Sequence, residues 1–227
     1  MEDERVIASV VWREALATIR RHPMATVAPA ALLVVFSEAP YLLPDSLYVL
    51  KDILAFLTQA FAFYLYVAYA EEVSIEVQQT TEPIPLRGAL RKLLLAAPVV
   101  PLIVVAGLVA VALPSAAASL LVIPGLWLLT RWSLFAPVIV RERLGPLAAL
   151  RRSSELVRDH FELVFLTAAF AILLEEAVMD VGALVGLLIS GSDIWGEWIG
   201  SSVAGMLILP LASFATAIAY GRISRHS

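Results

Sequence analysis

Residues 121–140 read LVIPGLWLLTRWSLFAPVIV, residues 141–161 read RERLGPLAALRRSSELVRDHF, and residues 162–174 read ELVFLTAAFAILL. An apolar stretch, an arginine-rich connector and a second apolar stretch follow one another. A helix needs about 20 mostly apolar residues to cross a bilayer, and backbone inside a bilayer must satisfy its own hydrogen bonds. The stretch therefore predicts two membrane helices joined on a basic side.

Working outward, the same alternation recurs. The chain has 227 residues, of which 60% are hydrophobic and 16% charged, with a mean hydropathy of +0.86. Soluble domains carry roughly a quarter charged residues. The apolar surplus comes in six blocks, near 24–43, 53–70, 94–113, 119–140, 161–189 and 197–220. The expected fold is an all-α integral membrane protein with one domain over 1–227, about six transmembrane helices and short amphipathic helices at the interface. Residues 1–22 form an N-terminal interfacial segment. They open on acidic MEDER, unlike a signal peptide, and are expected to stay in the mature chain.

Basic residues set the orientation. Of sixteen Lys and Arg, all but Lys51 and Arg131 fall before span one, between spans two and three, between four and five, or after six. The positive-inside rule puts those connectors and both termini in the cytoplasm, which places a multi-pass protein in a cytoplasmic (inner) membrane. The outer connectors are short and hold Tyr41, Tyr48, Trp195 and Trp198, which suit the headgroup layer as anchors.

Within 146–160, Pro146 suits a first helical turn. Leu147, Leu150, Val157 and Phe161 share one face with Ser154, and Arg151, Glu155 and Arg158 share the other. Residues 86–93 set Leu86, Leu90 and Leu93 against Arg87 and Arg91. Arg87, Arg91, Arg151, Arg152 and Arg158 are the expected contacts to anionic headgroups. REALATIRRHP, RGALRKLLLAAP and LAALRRSSELVRDHF each set Ala-Leu before basic residues and then enter a span. This suggests a threefold repeat of one short helix and two spans.

Four charges fall inside spans: Arg131 in the fourth, and Glu175, Glu176 and Asp180 in the fifth. At 1.5 Å per residue, Arg131 lies roughly 15 Å from the cytoplasmic boundary and the two glutamates roughly 20 Å. Ionisable groups at that depth are costly unless paired or hydrated, so Arg131 is expected to pair with Glu175 or Glu176. The cluster reads as a polar cavity, as an ion pair fixing helix register, or, if span five is broken, as acids in an outer vestibule; Glu38, near the outer end of span one, either joins a patch of Glu176 and Asp180 in the bundle interior or faces water. Pro124-Gly125 and Pro137 predict irregular backbone in span four. Gly182 with Gly186, and Gly196 with Gly200, have the spacing of close helix packing.

Enzyme signatures are missing. No H-E-x-x-H, G-x-S-x-G or P-loop occurs, and there is no cysteine. Glu175-Glu176 resembles the di-glutamate of intramembrane CAAX-type proteases. Three residues after the second glutamate, however, Met179 replaces that family's arginine, and no later span holds a histidine. His22, His160 and His226 sit beside basic or polar residues and read as exposed. No metal, cofactor or nucleic acid is expected.

The pattern Pro124, Gly125, Arg131, Pro137, Glu142, Gly145, Pro146, Ala149, Leu150 and Ser153 resembles the glycerophosphoryl diester phosphodiesterase membrane-domain family and related bacterial membrane proteins. The motif covers about forty residues, and the six-span layout follows loosely. The resemblance implies a membrane module that sometimes accompanies a phosphodiesterase domain. No such domain occurs here, so it carries architecture and lipid context rather than activity. The expected function is non-enzymatic engagement of membrane lipids, or of a membrane-protein partner or second copy of the chain. The alternative is a small transporter or flippase with an intramembrane acidic path, and an intramembrane enzyme comes last.

Overall fold

The computed structural model describes residues 2–79, 84–96, 122–191 and 194–225, and among them there is no strand. Helices α1 (Glu2–Arg21), α2 (Pro23–Glu38), α3 (Tyr48–Gln79) and α4 (Leu86–Ala96) precede α5 (Val122–Trp132) and α6 (Phe135–Glu142). Then come α7 (Pro146–Arg158), α8 (Phe161–Ser190) and α9 (Ile194–Ile223).

Three helical stretches are long and apolar enough to cross a membrane: Pro23–Leu42, Tyr48–Val77 and Trp198–Ile223. They coincide with the first, second and sixth expected spans. The fifth is a single 30-residue helix, α8, but Glu162, Glu175, Glu176 and Asp180 keep it out of that class. The third expected span lies outside the described residues beyond Ala96, and the fourth begins outside them. What is described of the fourth is broken, as its prolines predict. The break falls at Ser133-Leu134, between α5 and α6. Pro137 lacks an N–H, so no helix through it could satisfy the Ser133 carbonyl. The Ser133 hydroxyl instead donates to Thr130 O at 2.9 Å, closing α5.

Proline also shapes α2. Pro29 cannot donate to the Ala25 carbonyl, and the Tyr69 hydroxyl does so at 2.6 Å. Tyr66 likewise donates to Thr26 O at 2.6 Å. Both tyrosines are fully buried, so each polar tip has a partner where water is excluded. They belong to a core of α1, α2, α3, α4 and α9 side chains that includes Val11, Leu33, Ala89 and Phe214. A second core joins α3 and α9 to α6 and α7 through Val67, Phe135, Ile139, Leu150, Val157 and Tyr220.

The α8–α9 hairpin packs backbone on backbone. A Cβ on Gly182 would stand 2.5 Å from Gly200 O, and one on Gly196 would stand 2.5 Å from Gly186 O. Both glycine pairs read from the sequence therefore face each other across the hairpin. Gly191, at φ 75°, takes the left-handed turn that ends α8.

The short helices recur in one arrangement. α1 and α7 each join the helix that follows at a histidine of similar backbone, φ −128° and ψ 54° at His22, φ −130° and ψ 32° at His160. Superposing the histidines matches buried Val11 and Ala15 with buried Ala149 and Ser153. The equivalence is therefore shifted one helical turn from the Ala-Leu alignment suggested by sequence, which keeps the same face inward. One ion pair ties each of these helices to the end of another: Lys92–Glu76 (2.9 Å) for α4 on α3, Arg152–Glu142 (3.3 Å) for α7 on α6, and Arg222–Glu14 for α1 on α9. Lys92, Arg152 and Glu14 hold equivalent positions, the last with its sign reversed. The third tie joins the last helix to the first.

Candidate functional site

Charge gathers at both ends of the bundle. At the end shared by α1, α4 and α7, Glu71 is 1% exposed and pairs with Arg141 Nε at 2.9 Å. The Arg141 guanidinium lies 5.7 Å from the centre of the Tyr220 ring. Tyr220 Oη donates to Glu142 Oε1 at 3.1 Å, and Arg152 Nε reaches the same carboxylate. The centre draws on α3, α6, α7 and α9. In the sequence Arg141 stands as a connector base and the expected second span ends at residue 70, one short of Glu71. The available signal was an acidic pair, Glu71-Glu72, continuing an apolar run at a basic end.

Of the expected headgroup contacts, Arg87, Arg91, Arg151 and Arg158 are exposed. Arg152 is half-buried and held by Glu142, so it braces α7. Arg151 also pairs with Glu155 at 3.3 Å, and Arg158 with Asp159 at 3.4 Å; exposed pairs of this kind contribute at most about 1 kcal/mol. The buried face of α7 is Ala149, Leu150, Ser153, Leu156 and Val157. Leu147, expected on that face, is 74% exposed.

Arg131 corrects the sequence expectation. Among the described residues no ion pair joins it to Glu175 or Glu176. Its guanidinium lies 4.7 Å from the Trp127 ring centre and donates to Ser154 O at 3.3 Å, while Ser153 Oγ donates to Arg131 O at 2.8 Å. The break after α5 lets α7 fold back against α5. The Ser154 carbonyl, in the C-terminal half of α7, then receives the cation. In this clamp the motif residues act structurally. Ser153 ties α7 to α5, Pro137 lies in the first turn of the buried α6, and Glu142 anchors Arg152. Gly145, extended at ψ 166°, precedes Pro146 at the start of α7. Pro124 and Gly125 fall in the first turn of α5.

His22 is the second correction. It is 2% exposed, and its Nδ1 accepts the Ile84 N–H at 3.4 Å. Burial, then the neighbouring Arg21, holds its pKa below the ordinary 6.5, and Glu76 opposes them. Protonating Nδ1 would break the Ile84 bond. Below pH 6.5 the unfolded chain takes up a proton that the folded chain resists, so stability should fall as pH drops through that range. Thermal melts of the wild type should show this slope and His22→Gln should flatten it. An equal slope in both would assign it to another group.

At the opposite end, Glu38 is 5% exposed and accepts a hydrogen bond from Gln59 Nε2 at 3.3 Å. Its backbone carbonyl accepts from Trp198 Nε1 at 3.3 Å. A cleft of about 300 Å³ is lined by Glu38, Tyr41, Gln59, Glu175 and Glu176, among others. A neighbouring cavity of about 340 Å³ shares Glu38, Tyr41 and Gln59 and reaches Lys51 and Ser201. Glu175 and Glu176 thus come together with Glu38 in a vestibule, while Asp180, exposed as the two glutamates are, is not among the residues lining it. Among the described residues no group of three or more His, Asp or Glu is placed to hold a metal ion. No family model, curated protein or solved structure matches the chain.

Proposed function

We propose that the chain is a six-span, non-enzymatic protein of the bacterial cytoplasmic membrane, with both termini inside, that engages anionic lipid through its three short helices. The observation carrying this reading is the pairing of exposed cations with exposed leucines on α4 and α7. Leu86 and Leu90 accompany Arg87 and Arg91, and Leu147 accompanies Arg151 and Arg158. Such leucines enter the acyl boundary while the guanidinium groups stay among headgroups. Exposed Phe36, Leu173, Leu188 and Leu207 on the long helices suit a hydrocarbon surround. The resemblance to the glycerophosphoryl diester phosphodiesterase membrane domains agrees with a lipid setting.

Each arginine near an anionic surface contributes about 1 kcal/mol. Delipidated protein titrated with phosphatidylglycerol should gain thermal stability, and phosphatidylcholine should give far less. Replacing Arg87, Arg91, Arg151 and Arg158 together by glutamine should weaken the phosphatidylglycerol response at least about tenfold. Equal responses to the two lipids would contradict the reading. The acidic vestibule between Glu38 and Glu175 supports a second reading, a small transporter whose path begins there.

A further inference from the structure

Inward of the vestibule, a separate cavity of about 160 Å³ opens where α3, α8 and α9 meet the break after α5. Its walls include the aromatic residues Phe63, Tyr64 and Trp132, with Ser133, Thr216 and Glu175 as polar groups. Ser133 Oγ already donates to Thr130 O and Thr216 Oγ1 to Ala212 O, at 2.9 and 3.0 Å. Both hydroxyls therefore have only lone pairs to offer a ligand. Glu175 makes no hydrogen bond or ion pair among the described residues, and it also lines the vestibule. Among the described lining residues, the Tyr64 hydroxyl and the Trp132 indole N–H are the side-chain donors, and Ser133, Thr216 and Glu175 offer acceptors. A carboxylate beside aromatic rings attracts a desolvated cation and repels an anion.

We infer that this cavity binds a small organic ammonium with a compact apolar body, held by Glu175 and the Trp132, Tyr64 and Phe63 rings. The inference deepens the transporter reading, since Glu175 lies on both the vestibule and the cavity. It does not depend on lipid binding at the opposite end.

The test is equilibrium binding of phenyltrimethylammonium to the full chain in nanodiscs, with tert-butylbenzene as the uncharged match in shape. Binding should be saturable and weaken at least about tenfold in Glu175→Gln and about tenfold in Trp132→Leu. Asp180→Asn, which removes a nearby charge outside the cavity, should bind as the wild type does. Retained thermal unfolding would show that the variants fold, and Trp132→Leu serves if Glu175→Gln does not. Three results would each overturn the proposal: no saturable binding to folded wild type, undiminished binding in both cavity variants, or equal competition by tert-butylbenzene. A normal phosphatidylglycerol response alongside any of these would leave the lipid reading standing.

Discussion

Gly186→Val should separate α8 from α9 and cost more than about 3 kcal/mol of stability. A Cβ at Gly186 would collide with Gly196 O, and with Gly200 Cα at 3.1 Å. The atoms in the way are main chain, so no side-chain rotation relieves the clash. In a bilayer, lipid tails are as apolar as leucine, and close packing with small residues at the contact carries much of the association. Gly200→Val should behave alike, because its Cβ would meet Gly182 O. Gly221 is the control. Nothing lies within 4 Å of its added Cβ, and alanine there should be neutral or stabilise by up to about 1 kcal/mol through helix propensity. Thermal unfolding in detergent separates these outcomes. A Gly186→Val melting temperature equal to wild type would show that the helices do not meet as described.

Arg141→Met should be comparably damaging, by about 3–5 kcal/mol, because it leaves the carboxylate of Glu71 buried without its cation. The double variant Glu71→Met/Arg141→Met should recover most of that loss. Replacing both members of a buried pair by apolar groups is often close to neutral, whereas removing one is not. A coupling energy of about 2 kcal/mol or more in the double-mutant cycle is expected. Additive losses would show that the pair does not hold α3 to α6. The Tyr220 ring beside Arg141 gives the methionine side chain an aromatic partner.

Periodicity and composition carried much of the fold. Long apolar runs gave α2, α3 and α9, and the glycine spacing gave the hairpin contact. Proline announced the interruption of span four because a missing N–H is a local fact. Arg131 departs from its expected partner because a depth of 1.5 Å per residue holds only along a straight span. The Ser133-Leu134 break brings α7 onto α5, and one main-chain carbonyl, that of Ser154, with the Trp127 ring supplies what a carboxylate was expected to supply. His22, between Arg21 and Pro23, looks exposed in sequence. Its burial depends on Ile84, 62 residues away, and no local pattern encodes that. Glu38 joined the acidic vestibule because α2, α3 and α8 bring their polar positions to one end, a matter of helix rotation that spacing alone leaves open.

In the proposed orientation the basic end, with α1, α4 and α7, faces the cytoplasm and the vestibule faces outward. The chain contains no cysteine, so single cysteines report accessibility without background. Ala17→Cys on α1, Ala148→Cys on α7 and Ser46→Cys between α2 and α3 all alter exposed positions. On intact cells whose inner membrane is accessible, a membrane-impermeant maleimide should label Ser46→Cys at once. It should label Ala17→Cys and Ala148→Cys only after lysis. Labelling of Ala17→Cys or Ala148→Cys in intact cells, or protection of Ser46→Cys, would contradict the account.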